Sequence, residues 1–277
     1  MRNVPEPNYE YDIQRLVSVY KRGITGILAE LNRLDLTDLQ RAQILAALKN
    51  ISDILRGIND ESTQWVNEVI PKAISDGIAS TIVALGVADT LEQAQKIVKF
   101  NRANKALAEA VIADTQSDLL AVTQNIDRRV RATVRQVAAE SMRANYAKGI
   151  NGRKAISRDI LTGLREKLGT SVNTGIIDAA GRRWKPEVYV DMLVRTKTMS
   201  AHLDATINEA VAREAYYGRI SSHGATDACR NYEGKIVKLV PDAPGDYPYI
   251  GDLRGGRDIF HPNCKHTVTP TRLPDGI

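Results

Sequence analysis

Residues 104–148 read NKALAEAVIADTQSDLLAVTQNIDRRVRATVRQVAAESMRANYAK, and this stretch decides the fold class. Leu107, Val111, Leu119, Val122, Ile126, Val130, Val134 and Val137 recur mostly at three- and four-residue steps. That spacing puts side chains on one side of an α-helix. Neither Gly nor Pro interrupts the pattern before Gly149. Uncapped periodicity of this length predicts a long helix of the kind that coils against a helical partner.

The same period extends toward the N-terminus. Over 9–31, Ile13, Leu16, Val17, Tyr20, Ile24, Ile27 and Leu28 predict a first helix. Thr37 followed by Gln40 has capping-box spacing, in which hydroxyl and amide satisfy helix-end N–H groups reciprocally. Ile44, Leu48, Ile51 and Leu55 then line one face, and Gly57 is the expected stop. A third helix is expected over 62–85, kinked or split by Pro71 and closed by Gly86. Thr90 opens a fourth over 91–101, with Glu92 in the first turn where the helix dipole favours an acid.

Toward the C-terminus the texture changes. A short helix over 157–168 follows the Asn151-Gly152 turn. Residues 171–177 read as extended, 178–184 as a Gly-containing hairpin, and 186–217 as a long helix with Pro186 in its first turn. Residues 219–277 hold 7 of the 19 glycines and six of the ten prolines, so helices there must be short. The expected fold is mainly α with a small α+β C-terminal domain: long N-terminal and central helices, then short antiparallel strands. The expected division is a helical domain over 1–169 and an α+β domain over 170–277. Hydrophobic residues make up 43% of the 277 and aromatics only 5%, a Leu, Ile, Val and Ala palette that suits packed helices.

Several classes are disfavoured. Residues 1–9 are polar and carry two prolines, unlike a signal peptide. The most apolar run, 78–87, falls short of the roughly 20 residues a membrane span needs. Two cysteines do not make a disulfide scaffold, so a soluble chain made in a reducing cytoplasm is expected.

The net charge of +5 is unevenly spread. Residues 121–200 carry 16 basic and 7 acidic side chains, whereas the flanking regions are slightly acidic. Arg128, Arg129, Arg131, Arg135 and Arg143 form the centre of this excess; 128, 131 and 135 share one helical face opposite the valines. Such a face can neutralise phosphates without reading base sequence, or be an ordinary solvated surface. No sequence-reading motif accompanies it.

The candidate chemistry lies near the C-terminus, in His223, Cys229, His261, Cys264 and His266. Thiolate and imidazole are the preferred ligands of structural zinc, and Cys229, His261, Cys264 and His266 would fill a tetrahedral shell. Metal binding would also stabilise a turn-rich unit with few apolar residues. The usual Cys-x-x-Cys pair is missing, since Tyr232 stands three residues after Cys229. The other readings are hydrogen bonding without an ion, a Cys229–Cys264 disulfide, and a Cys/His nucleophile with Asp227 or Asp258 as orienting carboxylate.

Three strings carry a family resemblance: Ser221-Ser222-His223-Gly224-Ala225, Tyr232-Glu233-Gly234-Lys235-Ile236-Val237 and Phe260-His261-Pro262-Asn263-Cys264-Lys265-His266. They resemble the closing signature of minor capsid (head morphogenesis) proteins of tailed bacteriophages, the phage Mu F-like group. Gly181-Arg182-Arg183-Trp184 through Val194-Arg195-Thr196 is similar to the lead-in to that domain. The resemblance covers 170–277. Tyr232 departs from a cysteine found in many relatives, and Lys265 replaces an arginine with the charge kept.

The resemblance implies a non-enzymatic virion component. It would be present in low copy inside the head or at the portal vertex, bound to the portal protein and/or the major capsid protein. It would assist procapsid assembly and DNA packaging or ejection, touch packaged double-stranded DNA nonspecifically, and reside in the host cytoplasm during assembly. No membrane partner and no enzyme domain after Ile277 are expected. The rival is a DNA-binding or Cys/His-dependent hydrolytic protein acting outside the virion.

Overall fold

The computed structural model describes residues 4–33, 41–149, 153–173, 176–178, 180–256 and 258–272. The elements run α1 (Glu10–Asn32), α2 (Arg41–Ala84), α3 (Leu91–Ile97), α4 (Arg102–Ala147), α5 (Arg153–Asn173), β1 (Ile176–Ile177), β2 (Arg183–Trp184), α6 (Pro186–Ala212), β3 (Tyr217–Ile220), β4 (Ile236–Lys238), α7 (Ile250–Gly255) and β5 (Val268–Thr271). The expected class, mainly helical with short antiparallel strands near the C-terminus, is the class observed. The Thr37–Gln40 capping box and the Asn151-Gly152 turn lie outside the described residues.

The chain forms two compact units, each assembled from separated segments: Met1–Ile13, Val66–Thr115 and Met192–Ile277 in one, Gln14–Trp65 and Gln116–Asp191 in the other. The helices α1, α2, α4 and α6 each contribute residues to both. This is a different kind of division from the change of sequence texture at 169/170.

The second unit is an all-helical core with one hairpin. Leu16, Val17, Tyr20, Ile24 and Ile27 of α1 are buried, as are Ile51, Leu55 and Ile58 of α2 and Leu119, Val122, Ile126, Val130, Val134 and Val137 of α4. The buried α4 residues are the ones whose spacing announced the helix. The Tyr20 hydroxyl donates to the Leu119 carbonyl at 3.4 Å and the Ser62 hydroxyl donates to Tyr20 at 3.4 Å, so the ring's polar end is satisfied inside the core. In the hairpin, β1 and β2 pair antiparallel, Ile176 opposite Trp184. Asp178 organises its turn: the carboxylate accepts from the Ala180 and Arg182 backbone N–H groups, from Arg182 Nε and from Trp184 Nε1.

The first unit combines helix segments with a three-stranded sheet. β3 is central, flanked antiparallel by β4 and β5. Pro270 is tolerated in β5 because that strand lies at the sheet's edge. Ile220, Val237 and Val268 from the strands pack with Leu203, Ala210, Ala215, Cys229, Leu239, Ile250 and Ile259 into one buried cluster. In this unit α2 and α6 touch closely at Gly77, where a Cβ would run into the His202 carbonyl oxygen. The Thr81 and Thr206 hydroxyls fill the seam, Thr81 donating to the Gly77 carbonyl at 3.0 Å and Thr206 to the His202 carbonyl at 2.9 Å.

Four local expectations need correction. Gly57 does not stop a helix, and Pro71 does not split one: α2 runs unbroken through both. Gly in a helix costs about 1 kcal/mol and Pro about 3. Burial of Ile51, Leu55 and Ile58 around the first, and of Val66, Val69, Ile70, Ala73 and Ile74 around the second, contributes roughly 1.5–3 kcal/mol per large side chain and outweighs both. Residues 171–173 are the last turn of α5 rather than extended chain. The helix expected to reach 217 ends at Ala212. It closes with a Schellman pattern, Ala215 N–H to the Ala210 carbonyl and Glu214 N–H to the Val211 carbonyl, with Glu214 at φ 58° in place of glycine. The end of α2 uses the same pattern with Gly86 at φ 76°, as expected.

Candidate functional site

The cysteine and histidine side chains gather beside the three-stranded sheet. Asp227 caps the 3-10 turn over Ala228–Asn231, its carboxylate accepting the Cys229 N–H at 3.0 Å and so setting the thiol's position. His261 and Cys264 come from the loop before β5, a tight turn with the Cys264 N–H on the His261 carbonyl at 2.9 Å. Phe260 and Asn263 hold positive φ, 57° and 68°, and this folds the His-Pro-Asn-Cys string back on itself.

Three of the four expected ligands come together: the candidate ligand atoms of Cys229, His261 and Cys264 all lie within 4.8 Å of one another. Cys229 Sγ is 3.2 Å from His261 Nε2 and 3.8 Å from Cys264 Sγ. The fourth, His266, falls into an adjoining group with His223 and Glu233. The two groups meet where His266 Nδ1 stands 3.3 Å from Cys264 Sγ. His223 stacks on His266 with ring centroids 4.2 Å apart. Both cysteines are free thiols.

Glu233 is the residue that sequence reasoning missed. One of its oxygens accepts the backbone N–H groups of His223 and Ala225, both at 3.0 Å, and faces His266 Nε2 at 3.3 Å. The two backbone bonds, before the imidazole, pull its carboxyl down to about 2. The available signal was its place one residue before Gly234, which turns at φ 73° ahead of β4. Asp227 is held below the usual carboxylate range, first by its bonds with Cys229 and less by the nearby His261. Burial pushes the Cys229 thiol up to about 12, and the neighbouring Cys264 adds to this. Burial also lowers His266. Asp258 lies beside the Tyr232 hydroxyl at 3.4 Å.

A cavity of about 210 Å³ opens next to Cys264; Thr196, Ser200, Arg254, His261 and His266 help line it. Its mixed polar lining suits water or a small polar group.

The basic residues all lie on α4. Arg128, Arg135 and Arg143 are exposed, Arg129 and Arg131 half-buried. Arg131 is engaged, its Nε on Asp127 at 2.8 Å and a terminal nitrogen on the Ser52 hydroxyl at 2.7 Å. Arg129 Nε donates to Asn125 at 3.0 Å, and Arg143 Nε to the Ala139 carbonyl at 3.2 Å. Arg128 borders an open groove of about 480 Å³ together with Ser52, Arg56, Asn59 and Asp127.

Against known proteins, residues 10–272 match the family described as phage minor capsid protein 2. The chain belongs to that family. The match bears out the resemblance seen in the C-terminal strings and extends it well into the helical N-terminal region. Membership gives this phage minor capsid protein a structural role in the bacteriophage particle. A curated relative, a structural protein of Lactococcus phage LL-H, is 26% identical over 126 residues, covering 43% of this chain and 34% of that protein. The chain thus spans about a third of the length of that relative. No solved structure matches. No helix among the described residues is long and apolar enough to cross a membrane.

Proposed function

We propose that this minor capsid protein is a low-copy component of the phage head that binds the portal protein and/or the major capsid protein. There it assists procapsid assembly and DNA packaging or ejection. The observation that carries the reading is the family match along nearly the whole chain, residues 10–272. The helical core supports it, since long helices offer extended faces on which large partners can dock. Cross-linking of purified heads followed by peptide mass spectrometry tests it. Cross-links from this chain to the portal or major shell protein are expected; heads that contain the chain without any such cross-link would overturn the assignment of partners.

Nonspecific DNA contact belongs to the same reading. Arg128, Arg135 and Arg143 are exposed at seven- and eight-residue steps along α4, about 10–12 Å apart at 1.5 Å per residue. Arg129 flanks them. Arg131 pairs with Asp127 on its own helix and ties α4 to Ser52 of α2. Each phosphate neutralised adds about −0.9 to the slope of log K against log salt. Replacing Arg128, Arg135 and Arg143 by alanine should flatten that slope by roughly 2–3 units; an unchanged slope would remove the stripe from the proposal.

One arrangement favours a second, hydrolytic reading. Cys264, His266 and Glu233 stand in nucleophile–base–carboxylate order at 3.3 Å and 3.3 Å, with the small cavity beside Cys264. Loss of an esterase or peptidase activity in Cys264→Ala with the fold retained would be its minimum support.

A further inference from the structure

The orientation of the two imidazoles says more than their proximity. His261 Nδ1 is 2.8 Å from the Pro262 carbonyl oxygen, which can only accept. Nδ1 therefore carries the proton, and in the neutral ring Nε2 presents a lone pair. That lone pair faces Cys229 Sγ at 3.2 Å and a carboxylate oxygen of Asp227 at 3.2 Å. A lone pair against a carboxylate oxygen is repulsive unless a second proton or a cation intervenes. On the other side, the Glu233 carboxylate also only accepts, so His266 carries its proton on Nε2 and turns the Nδ1 lone pair toward Cys264 Sγ. Two sulfurs and two imidazole lone pairs thus adjoin one another.

Within the Cys229–His261–Cys264 group the spacing fits one ion, and His266, outside that 4.8 Å set, would complete the shell by closing in from its contact with Cys264. Two thiolates on a tetrahedral Zn²⁺, each at about 2.3 Å, are about 3.8 Å apart; Cys229 and Cys264 sulfurs are 3.8 Å apart. A thiolate and an imidazole on the same ion are about 3.5 Å apart, against 3.2 Å and 3.3 Å for the two sulfur–nitrogen pairs. The set is also built in the manner of metal sites: the outward nitrogen of each ring is held by a carbonyl or a carboxylate, which fixes tautomer and orientation.

We propose that Cys229, Cys264, His261 Nε2 and His266 Nδ1 bind one structural Zn²⁺, with Glu233 as the positioning residue behind His266. The ion joins the 3-10 turn to the loop before β5, two segments of the turn-rich part of the chain. Binding converts two thiols and two neutral imidazoles into a complex of two thiolates and two imidazoles and releases two protons to buffer. The proposal is independent of the capsid reading, and its test does not involve phage particles.

The experiment is titration of the purified full chain, reduced and metal-stripped, first with Co²⁺ and then with Zn²⁺. Expected are one ion per chain, a thiolate-to-cobalt charge-transfer band that Zn²⁺ abolishes, and release of about two protons per Zn²⁺ in buffers of different ionisation enthalpy. Bound Zn²⁺ should slow alkylation of both cysteines. Glu233→Gln should weaken binding about 10- to 100-fold while keeping the stoichiometry, and His223→Ala should leave affinity within a fewfold. No cobalt–thiolate band in wild-type chain whose circular dichroism shows it folded would overturn the proposal, as would unprotected alkylation at saturating Zn²⁺. Since the wild-type titration decides it, a misfolded variant does not obscure the answer.

Discussion

Acidification titrates a buried imidazole in the first unit, and the stability lost can be worked out from its surroundings. His202 on α6 is 3% exposed. The Ala73 carbonyl accepts from the ring, and the Tyr9 hydroxyl is 2.9 Å from Nδ1. Because a carbonyl can only accept, the ring donates to Ala73, and the Tyr9 hydroxyl beside Nδ1 also bonds the Asp76 carboxylate. Burial depresses this imidazole to about 4, whereas in an unfolded chain it titrates near about 6.5. Between those values the unfolded chain holds the proton and the folded chain does not, so stability falls as pH falls. Above about 6.5 the group contributes no pH dependence; at about pH 4 the accumulated loss is about 3 kcal/mol. Nearby Asp76 works the other way, since burial raises its carboxyl and the folded form then gains as pH falls. Asp12, paired with Lys72 at 2.7 Å, completes the charged surroundings. Urea unfolding of wild type and His202→Gln at a series of pH values separates the terms, because the amide cannot titrate. From about pH 6.5 to about pH 4.5 the wild type should lose about 2 kcal/mol more than the variant. Parallel stability curves for the two proteins would refute the assignment of a buried neutral imidazole.

Other expectations follow from single positions. Pro71→Ala restores a helix N–H inside α2 and should stabilise by about 1–3 kcal/mol, raising the thermal midpoint by a few degrees; a lowered midpoint would mean that the packing around Pro71 depends on its ring. Gly77→Ala should destabilise by about 1–3 kcal/mol in urea unfolding, because its Cβ meets the His202 carbonyl. Gly57→Ala, which meets open space, should instead stabilise by about 0.5–1 kcal/mol. Asp178→Ala should speed proteolysis within 176–184, since four donors lose their acceptor. In wild type the turn should hold until pH falls toward 2, where this carboxyl titrates, held down first by the Trp184 N–H.

The helices were legible because burial and periodicity coincide: the α4 residues from Leu119 to Val137 that recur in the sequence are the ones covered in the structure. Punctuation was less reliable. Gly57 and Pro71 carry strong local preferences, but long-range burial along α2 overrides them, and no local pattern reports that. Glu214 ends α6 in the conformation usually given to glycine, so the stop had no visible mark. The two discontinuous units were illegible for a related reason, since four helices each contribute to both.

At the candidate site the residue types were visible, but their pairing was not. Cys229 and Cys264 are 35 positions apart and meet only because the turn and loop that carry them pack beside one sheet. The interplay with Glu233 rests on backbone N–H groups, which no side-chain motif reveals. On α4, exposure separates Arg128, Arg135 and Arg143 from Arg131, a distinction that helical spacing alone could not make.

The most direct test of the central claim is quantitative mass spectrometry of purified DNA-filled particles of the phage that encodes this chain, with the major shell protein as internal standard. A small and reproducible copy number in the particle, far below that of the shell protein, is the expected result. Absence from both filled particles and precursor shells would contradict it.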